Sequence, residues 1–290
     1  MKQITIISGK GGTGKTSIIA ALASVAENAV IADCDVDAAD LFLVLKPQIL
    51  FENKYLGGKT AVIDYSKCTN CGICMDLCRF DAINTIENRV TISEFSCDGC
   101  ELCKRACPED AISMIQSDSS RWFISDSRFG PMVYARLGIA EDNSGKLVTV
   151  VREEAIKIAK AKKRDFVIID GPPGIGCPVI ASITGVDIAI IVTEPTQSGL
   201  HDLKRVVELV NNFSIKPLII LNKFDLNKEM TEVIEKYCKK TDIEIIAWIP
   251  FNRIFVDAMV NQKTIVEYNK FSELSNIIQS IWNKIQKYTV

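Results

Sequence analysis

Two patterns in this chain place residues with reactive groups at spacings that chemistry requires. The first is Gly9-Lys10-Gly11-Gly12-Thr13-Gly14-Lys15-Thr16, which satisfies G-x-x-x-x-G-K-[ST]. Glycines at such positions let backbone N–H groups turn inward around phosphate oxygens. Gly9, Gly11, Gly12, Thr13 and Gly14 would form that cradle, with Ser17 completing it. Lys15 would reach the β- and γ-phosphates, and the Thr16 hydroxyl would ligate Mg²⁺. A helix starting near Lys15 would point its positive end at the same charge. A glycine turn with no ligand is the plainer alternative. The apolar run Gln3–Ser8 before the loop and the helical pattern Ser17–Ala26 after it argue against that alternative.

The second pattern is cysteine. The chain has 11, and eight lie between Cys68 and Cys107; Cys34, Cys177 and Cys238 are scattered. Cys68, Cys71, Cys74 and Cys78 read C-x2-C-x2-C-x3-C, and Cys97, Cys100, Cys103 and Cys107 repeat that spacing. Each run is followed after the same gap by Asp-Ala-Ile, at 81–83 and 110–112, so the whole unit recurs at a 29-residue offset. Recurrence in register implies a duplicated supersecondary unit. A secreted disulfide framework is expected in a short chain behind a signal peptide. This N-terminus instead runs straight into the glycine loop. Metal ligation in a reducing compartment is the better reading. Zinc sites pair C-x2-C knuckles at longer separations, so two four-cysteine zinc sites fit less well.

These groups need elements to hold them. Ala29–Asp33, 165–170, 187–193, 217–221 and 243–249 read as strands, with helical patterns at 147–163, 199–212, 228–240 and 271–287. Continuous runs such as Ile188-Ala189-Ile190-Ile191-Val192 suit strands buried on both faces. The expected fold is α/β, a doubly wound and mostly parallel sheet. The alternation breaks off between its second strand and residue 165, so a smaller α+β module is expected at 59–117, inserted in a main domain of 1–58 and 118–290. The chain has 290 residues, 34 Lys+Arg against 36 Asp+Glu, and no apolar run of membrane-spanning length. Nucleic acid is therefore a poor partner, membrane association is not expected, and a cytoplasmic location is.

Lys10, following the first glycine, makes the loop resemble the deviant Walker A family that includes MinD, Mrp and the nitrogenase iron protein. That resemblance implies ATP as ligand and an ATP-dependent homodimer in which Lys10 reaches the partner's nucleotide. It assigns Asp35, in Asp33-Cys34-Asp35-Val36-Asp37, to the first switch, positioning the attacking water. Asp170, before Gly171-Pro172-Pro173-Gly174, is assigned to the second switch and the Mg²⁺ shell. Asp33 and Asp37 are expected to be local caps or solvated groups. Asn222, in Asn222-Lys223-Phe224-Asp225, is the expected base contact; that tetrapeptide also fits a GTPase motif, and the glycine loop favours ATP.

The cysteine module is similar to two-[4Fe–4S] bacterial ferredoxins, in which the fourth cysteine of each run serves the other cluster. The resemblance implies one cluster on Cys68, Cys71, Cys74 and Cys107, and another on Cys97, Cys100, Cys103 and Cys78. Pro108 follows Cys107 as in that family, but Arg79 follows Cys78. From near one end to the other, the chain resembles MinD-superfamily ATPases carrying such an insert. The function this implies is ATP hydrolysis that drives a dimer switch coupled to electron transfer toward a redox partner. The alternatives are an Mrp-type iron–sulfur carrier serving an acceptor protein, and a MinD-like positioning or redox-regulatory switch. The absence of a C-x-x-C pair near the C-terminus weighs against the carrier.

The remaining residues are read more plainly. Cys34 and Cys238 are expected to pack as small apolar side chains, and Cys177 as packing, a switch-coupled thiol or a cluster ligand. His201 reads as a surface or capping residue. Asn143-Ser144-Gly145-Lys146 is too short for a second phosphate loop, with Gly145 preceding a helix. Phe271, Leu274, Ile278, Ile281 and Ile285 should form one helical face packed on the sheet.

Overall fold

A computed structural model describes all residues except 95, 117, 139–144 and 289–290. The strands in chain order are β1 (Lys2–Ser8), β2 (Ala29–Asp33), β3 (Gln48–Lys54), β4 (Lys59–Ile63), β5 (Ile83–Ile86), β6 (Arg89–Ile92), β7 (Ile112–Gln116), β8 (Arg121–Ser127), β9 (Gly130–Arg136), β10 (Phe166–Pro173), β11 (Ile188–Thr193), β12 (Lys216–Asn222) and β13 (Glu244–Ile249). Nine form one sheet in the order β13-β12-β11-β1-β10-β2-β9-β8-β3. Each pairing from β13 across to β9 is parallel. The apolar strands explain this: Ile188–Val192 and Leu218–Leu221 are buried throughout, as strands covered on both faces must be.

The chain divides into two compact units. One comprises Met1–Glu52, Trp122–Ala135 and Asn143–Val290; the other comprises Asn53–Arg121 and Arg136–Asp142. The second is wider than the 59–117 expected from the break in the strand–helix alternation. The Tyr55 N–H donates to the Ser120 carbonyl, Lys54 pairs with Asp118, and the Gly138 N–H donates to Ser120 Oγ, which draws these flanks in.

In the first unit, the helix Lys15–Val25 buries Ile18, Ile19, Ala20, Ala21, Leu22 and Ala23, so it is apolar nearly all round. Such a helix must be covered on both sides. It packs against the helix Glu273–Tyr288, which buries Leu274, Ile278, Ile281, Trp282 and Ile285. Phe271 is not part of that face: it precedes the helix and is 90% exposed, because its end of the periodic pattern falls in a turn. No described helix is long and apolar enough to cross a membrane.

In the second unit, β4 pairs antiparallel with β7 and β5 with β6. The 29-residue repeat is written into this backbone. Left-handed residues recur at Asn70 and Gly99, Gly72 and Glu101, and Asp81 and Asp110. The Asp64 N–H donates to the Ala111 carbonyl while the Ser93 N–H donates to Ala82. Each half therefore closes on the other.

Candidate functional site

β1 lies inside the sheet, and the chain leaves it at the end where Asp33 of β2 and Asp170 of β10 are paired in register. This is the crevice beyond the carboxyl ends of the strands, where open α/β sheets bind ligands. Gly9 sits against the helix Gln197–Asn212, where a Cβ would collide with that of Asp202. Gly12 and Gly14 have φ of +78° and +90°, backbone that L side chains adopt only at a cost. A Cβ at Gly14 would also collide with the Asn222 amide.

Lys15 is buried and pairs with Asp35 at 3.1 Å and with Asp170 more closely. Burial works against its charge, but Asp170 and Asp35 outweigh it and raise its pKa. Burial pushes Asp170 and Asp35 up against the pull of Lys15. It pushes Asp33 up furthest, with Asp170 adding like-charge repulsion. One ammonium thus faces three carboxyl groups.

Sequence reasoning misjudged Asp33. Its Oδ1 does accept a local bond from the Asp35 N–H at 3.3 Å, but the side chain is fully buried beside Asp170. The adjacency was not visible because it depends on β2 pairing with β10, more than 130 residues later. Asp33 Oδ2, Asp170 Oδ2 and Thr13 Oγ1 are buried without hydrogen-bond partners. Orphaned oxygens of this kind call for a ligand. A Mg²⁺–nucleotide fits: the loop offers donors for phosphate, and the carboxylates and Thr16 offer oxygens for a hard cation.

Glu194, just after β11, was also missed. Its carboxylate takes Lys10 at 2.7 Å and Lys223 at 2.8 Å. Burial opposes its charge, yet the two lysines hold its pKa below the usual carboxylate value. Lys10 further donates to Ser198 Oγ at 2.9 Å, so it is held within its own chain. Lys223 donates to the Gly12 carbonyl at 2.9 Å, and Asn222 Nδ2 to the Thr13 carbonyl at 2.7 Å. The end of β12 therefore braces the glycine loop from below. Asp225 Oδ1 accepts from the Phe251 N–H at 2.6 Å.

Among the described residues, cysteines of the second unit line two cavities. One, about 370 Å³ including its mouth, is lined by Cys78, Cys97, Cys100 and Cys103; the other, about 360 Å³, by Cys68, Cys71, Cys74 and Cys107. Three cysteines of one run thus meet the fourth of the other. The Ala61 N–H points at Cys97 Sγ (3.4 Å) and the Ala111 N–H at Cys107 Sγ (3.3 Å). Among the described residues, no three Cys, His, Asp or Glu side chains converge on a single ion. The thiols line walls instead, a donor set that fits a polynuclear cluster with one thiolate per iron.

Cys34 and Cys238 are buried, as small apolar residues would be. Cys177 is exposed at the start of the helix Cys177–Ile183, and His201 is exposed on the helix Gln197–Asn212. Asn143 and Ser144 lie outside the described residues; Gly145 precedes the helix Lys146–Ala161 with φ +83°.

The fold and the braced glycine loop define a P-loop nucleotide-binding protein. More particularly, the chain belongs to the CobQ/CobB/MinD/ParA nucleotide-binding domain family, whose model matches residues 4–265. An uncharacterized protein of Methanocaldococcus jannaschii is 35% identical over 99% of this chain and 97% of its own length. The septum site-determining protein MinD of Synechocystis is 24% identical over 92% of this chain and 79% of its own length. In fold, the chain is similar to MinD from Pyrococcus horikoshii, solved with Mg-ADP. That likeness has a TM-score of 0.58 and 22% identity, and it covers 99% of this chain and 96% of the other.

Proposed function

We propose that this protein is an ATP-hydrolysing dimer switch that gates electron transfer through two [4Fe–4S] clusters held in its second unit. The sorting of eight cysteines into two cavities by the crossed three-plus-one rule of bacterial ferredoxins is what carries the reading. Cys68, Cys71, Cys74 and Cys107 hold one cluster, and Cys97, Cys100, Cys103 and Cys78 the other. Bound clusters supply one-electron redox chemistry. The protein contributes cavity walls and the two N–H···S contacts, features that set potential.

At the nucleotide site, the backbone of Gly9–Gly14 takes the phosphates, and Thr16 with Asp170 would hold Mg²⁺, which would supply positive charge beside the phosphate oxygens. When ATP enters, Lys15 exchanges its carboxylate partners for the β- and γ-phosphates. Asp35, released, orients a water for attack on the γ-phosphorus, and the bond to the β–γ bridging oxygen breaks to give ADP and phosphate. Loss of Lys15 from Asp170 frees Gly171–Gly174, the end of β10 and the residue beyond it, the segment suited to change shape with the γ-phosphate. Asn222 braces the loop through its bond to the Thr13 carbonyl and would contact the base.

Lys10 exchanges Glu194 for the partner's nucleotide as two copies close. Lys10→Ala is therefore expected to bind ATP with an affinity within about threefold of wild type yet remain monomeric, because one salt bridge is worth little to the fold itself. Light scattering with a slowly hydrolysed ATP analogue checks this: wild type should double in mass. A Lys10→Ala protein that dimerises as wild type does would exclude the switch.

A further inference from the structure

Arg152 is a buried cation that the nucleotide site does not use. It lies on the helix Lys146–Ala161 and is 8% exposed. Its Nη1 donates to the Ala181 carbonyl at 2.5 Å and its Nη2 to Gln3 Oε1 at 2.9 Å, while Nε is buried without a partner. Its hydrogen-bond partners are all neutral, and burial lowers its pKa. Removing a guanidinium from water with only neutral hydrogen-bond partners among the described residues is costly, so the contact it makes must matter to the fold or to its work.

That contact falls on the switch machinery. Ala181 lies in the last turn of the helix Cys177–Ile183, which begins four residues beyond Pro173, the end of β10. Terminal carbonyls of a helix attract cations, and the planar guanidinium fork ties them to Gln3 at the start of β1. One turn earlier on Arg152's own helix, the Val148 carbonyl faces Cys34 Sγ at 3.9 Å, and Cys34 stands between Asp33 and Asp35. Residues 148 and 152 share a helix face. At the helix start, Gly145 lies so close to the Cys177 carbonyl that a Cβ would come within 2.9 Å. One helix thus touches both Cys34, which adjoins Asp35, and the segment after Asp170. Along the chain, it follows the last stretch of the second unit, Arg136–Asp142.

We propose that Arg152 is a positioning residue that locks the helix Cys177–Ile183 to the helix Lys146–Ala161, so that both switch segments answer to nucleotide as one body. The inference rests on the nucleotide-switch reading but does not depend on the clusters. Hydrogen exchange of the full chain, read by mass spectrometry with Mg-ADP and with a slowly hydrolysed Mg-ATP analogue, tests it. In wild type, segments 146–161 and 177–183 should change protection together. In Arg152→Met, exchange across 177–183 should rise about tenfold and stop following nucleotide while the glycine loop remains protected. The kcat for ATP should fall about tenfold with KM within about twofold, and Arg152→Lys should recover part of both.

A lowered melting temperature with the nucleotide response of 177–183 intact would reduce Arg152 to a packing residue. If Arg152→Met does not fold, Arg152→Lys decides: an unchanged response and kcat overturn the proposal. A wild type showing no nucleotide response at all sinks the switch reading instead. Arg152 is then judged by basal exchange of 177–183, where equality with the Met variant overturns it.

Discussion

Lys15→Met is expected to slow ATP hydrolysis by about 10²–10³-fold and to destabilise the first unit by about 3–5 kcal/mol. Both effects follow from the same arrangement. Lys15 is the ammonium that faces Asp33, Asp35 and Asp170, all buried, in the crevice at the end of β1. Removing one partner of a buried ion pair leaves uncompensated charge in low dielectric, and three neighbouring carboxyls then repel one another. Catalysis loses the cation that would follow charge onto the β- and γ-oxygens, and the loss of one preorganised donor of this kind costs about 10²–10³ in rate. Chemical denaturation and phosphate release measure the two effects separately. Adding Asp170→Asn should recover part of the stability, since it removes one of the repelling charges, but none of the activity. A Lys15→Met protein that is as stable and as active as wild type would show that this lysine is not the centre of the site.

Removal of iron is expected to unfold the second unit and spare the first. The reason is the size of its core: the hydrophobic cluster is Ala61, Ile63, Cys74, Ile83, Val90 and Ile112, with six of the eight module cysteines at its edge or within it. So small a core supplies little stability by itself, and units of this size depend on metals or disulfides as staples. Ligand binding to the folded form alone makes up the difference. Anaerobic chelation should leave peptides from 59–117 fully exchanging, while the first unit keeps its melting transition and its nucleotide affinity. Persistent protection of 59–117 after complete iron loss would mean that the cysteines pack without a cluster.

Much of the first unit was legible because its strands are extreme. Runs such as Ile188–Val192 are buried on both faces, and no helix or loop of that composition competes. The hairpin of β8 and β9 escaped notice for the opposite reason. Along β8 the inward residues are Phe123, Ser125 and Ser127. The two serines bond back to the carbonyls of Met132 and Gly130, so polar residues occupy the face that should have been apolar. β3 is equally disguised: Ile49, Leu50 and Phe51 are 46, 49 and 63% exposed at the edge of the sheet.

At the site, the glycine loop and its lysines could be read from local spacing, because phosphate binding is carried by contiguous backbone. Glu194 could not. It acts through Lys10 and Lys223, which lie 184 residues before it and 29 after it, and a lone glutamate following a strand carries no local signal. The grouping of the cysteines in the two cavities follows the crossed arrangement that the resemblance to two-cluster ferredoxins implies, which the duplicated spacing alone does not fix.

Coupling between nucleotide and iron centres is tested most directly by an anaerobic redox titration followed by EPR. It would be run on wild type and Lys10→Ala, each with Mg-ADP and with a slowly hydrolysed Mg-ATP analogue. The reduced wild type is expected to show two interacting [4Fe–4S] signals, and the ATP analogue should shift the midpoint or line shape of at least one. Lys10→Ala should show the same clusters without the shift. Identical spectra in all four states would mean that the clusters and the nucleotide share a chain without sharing a mechanism.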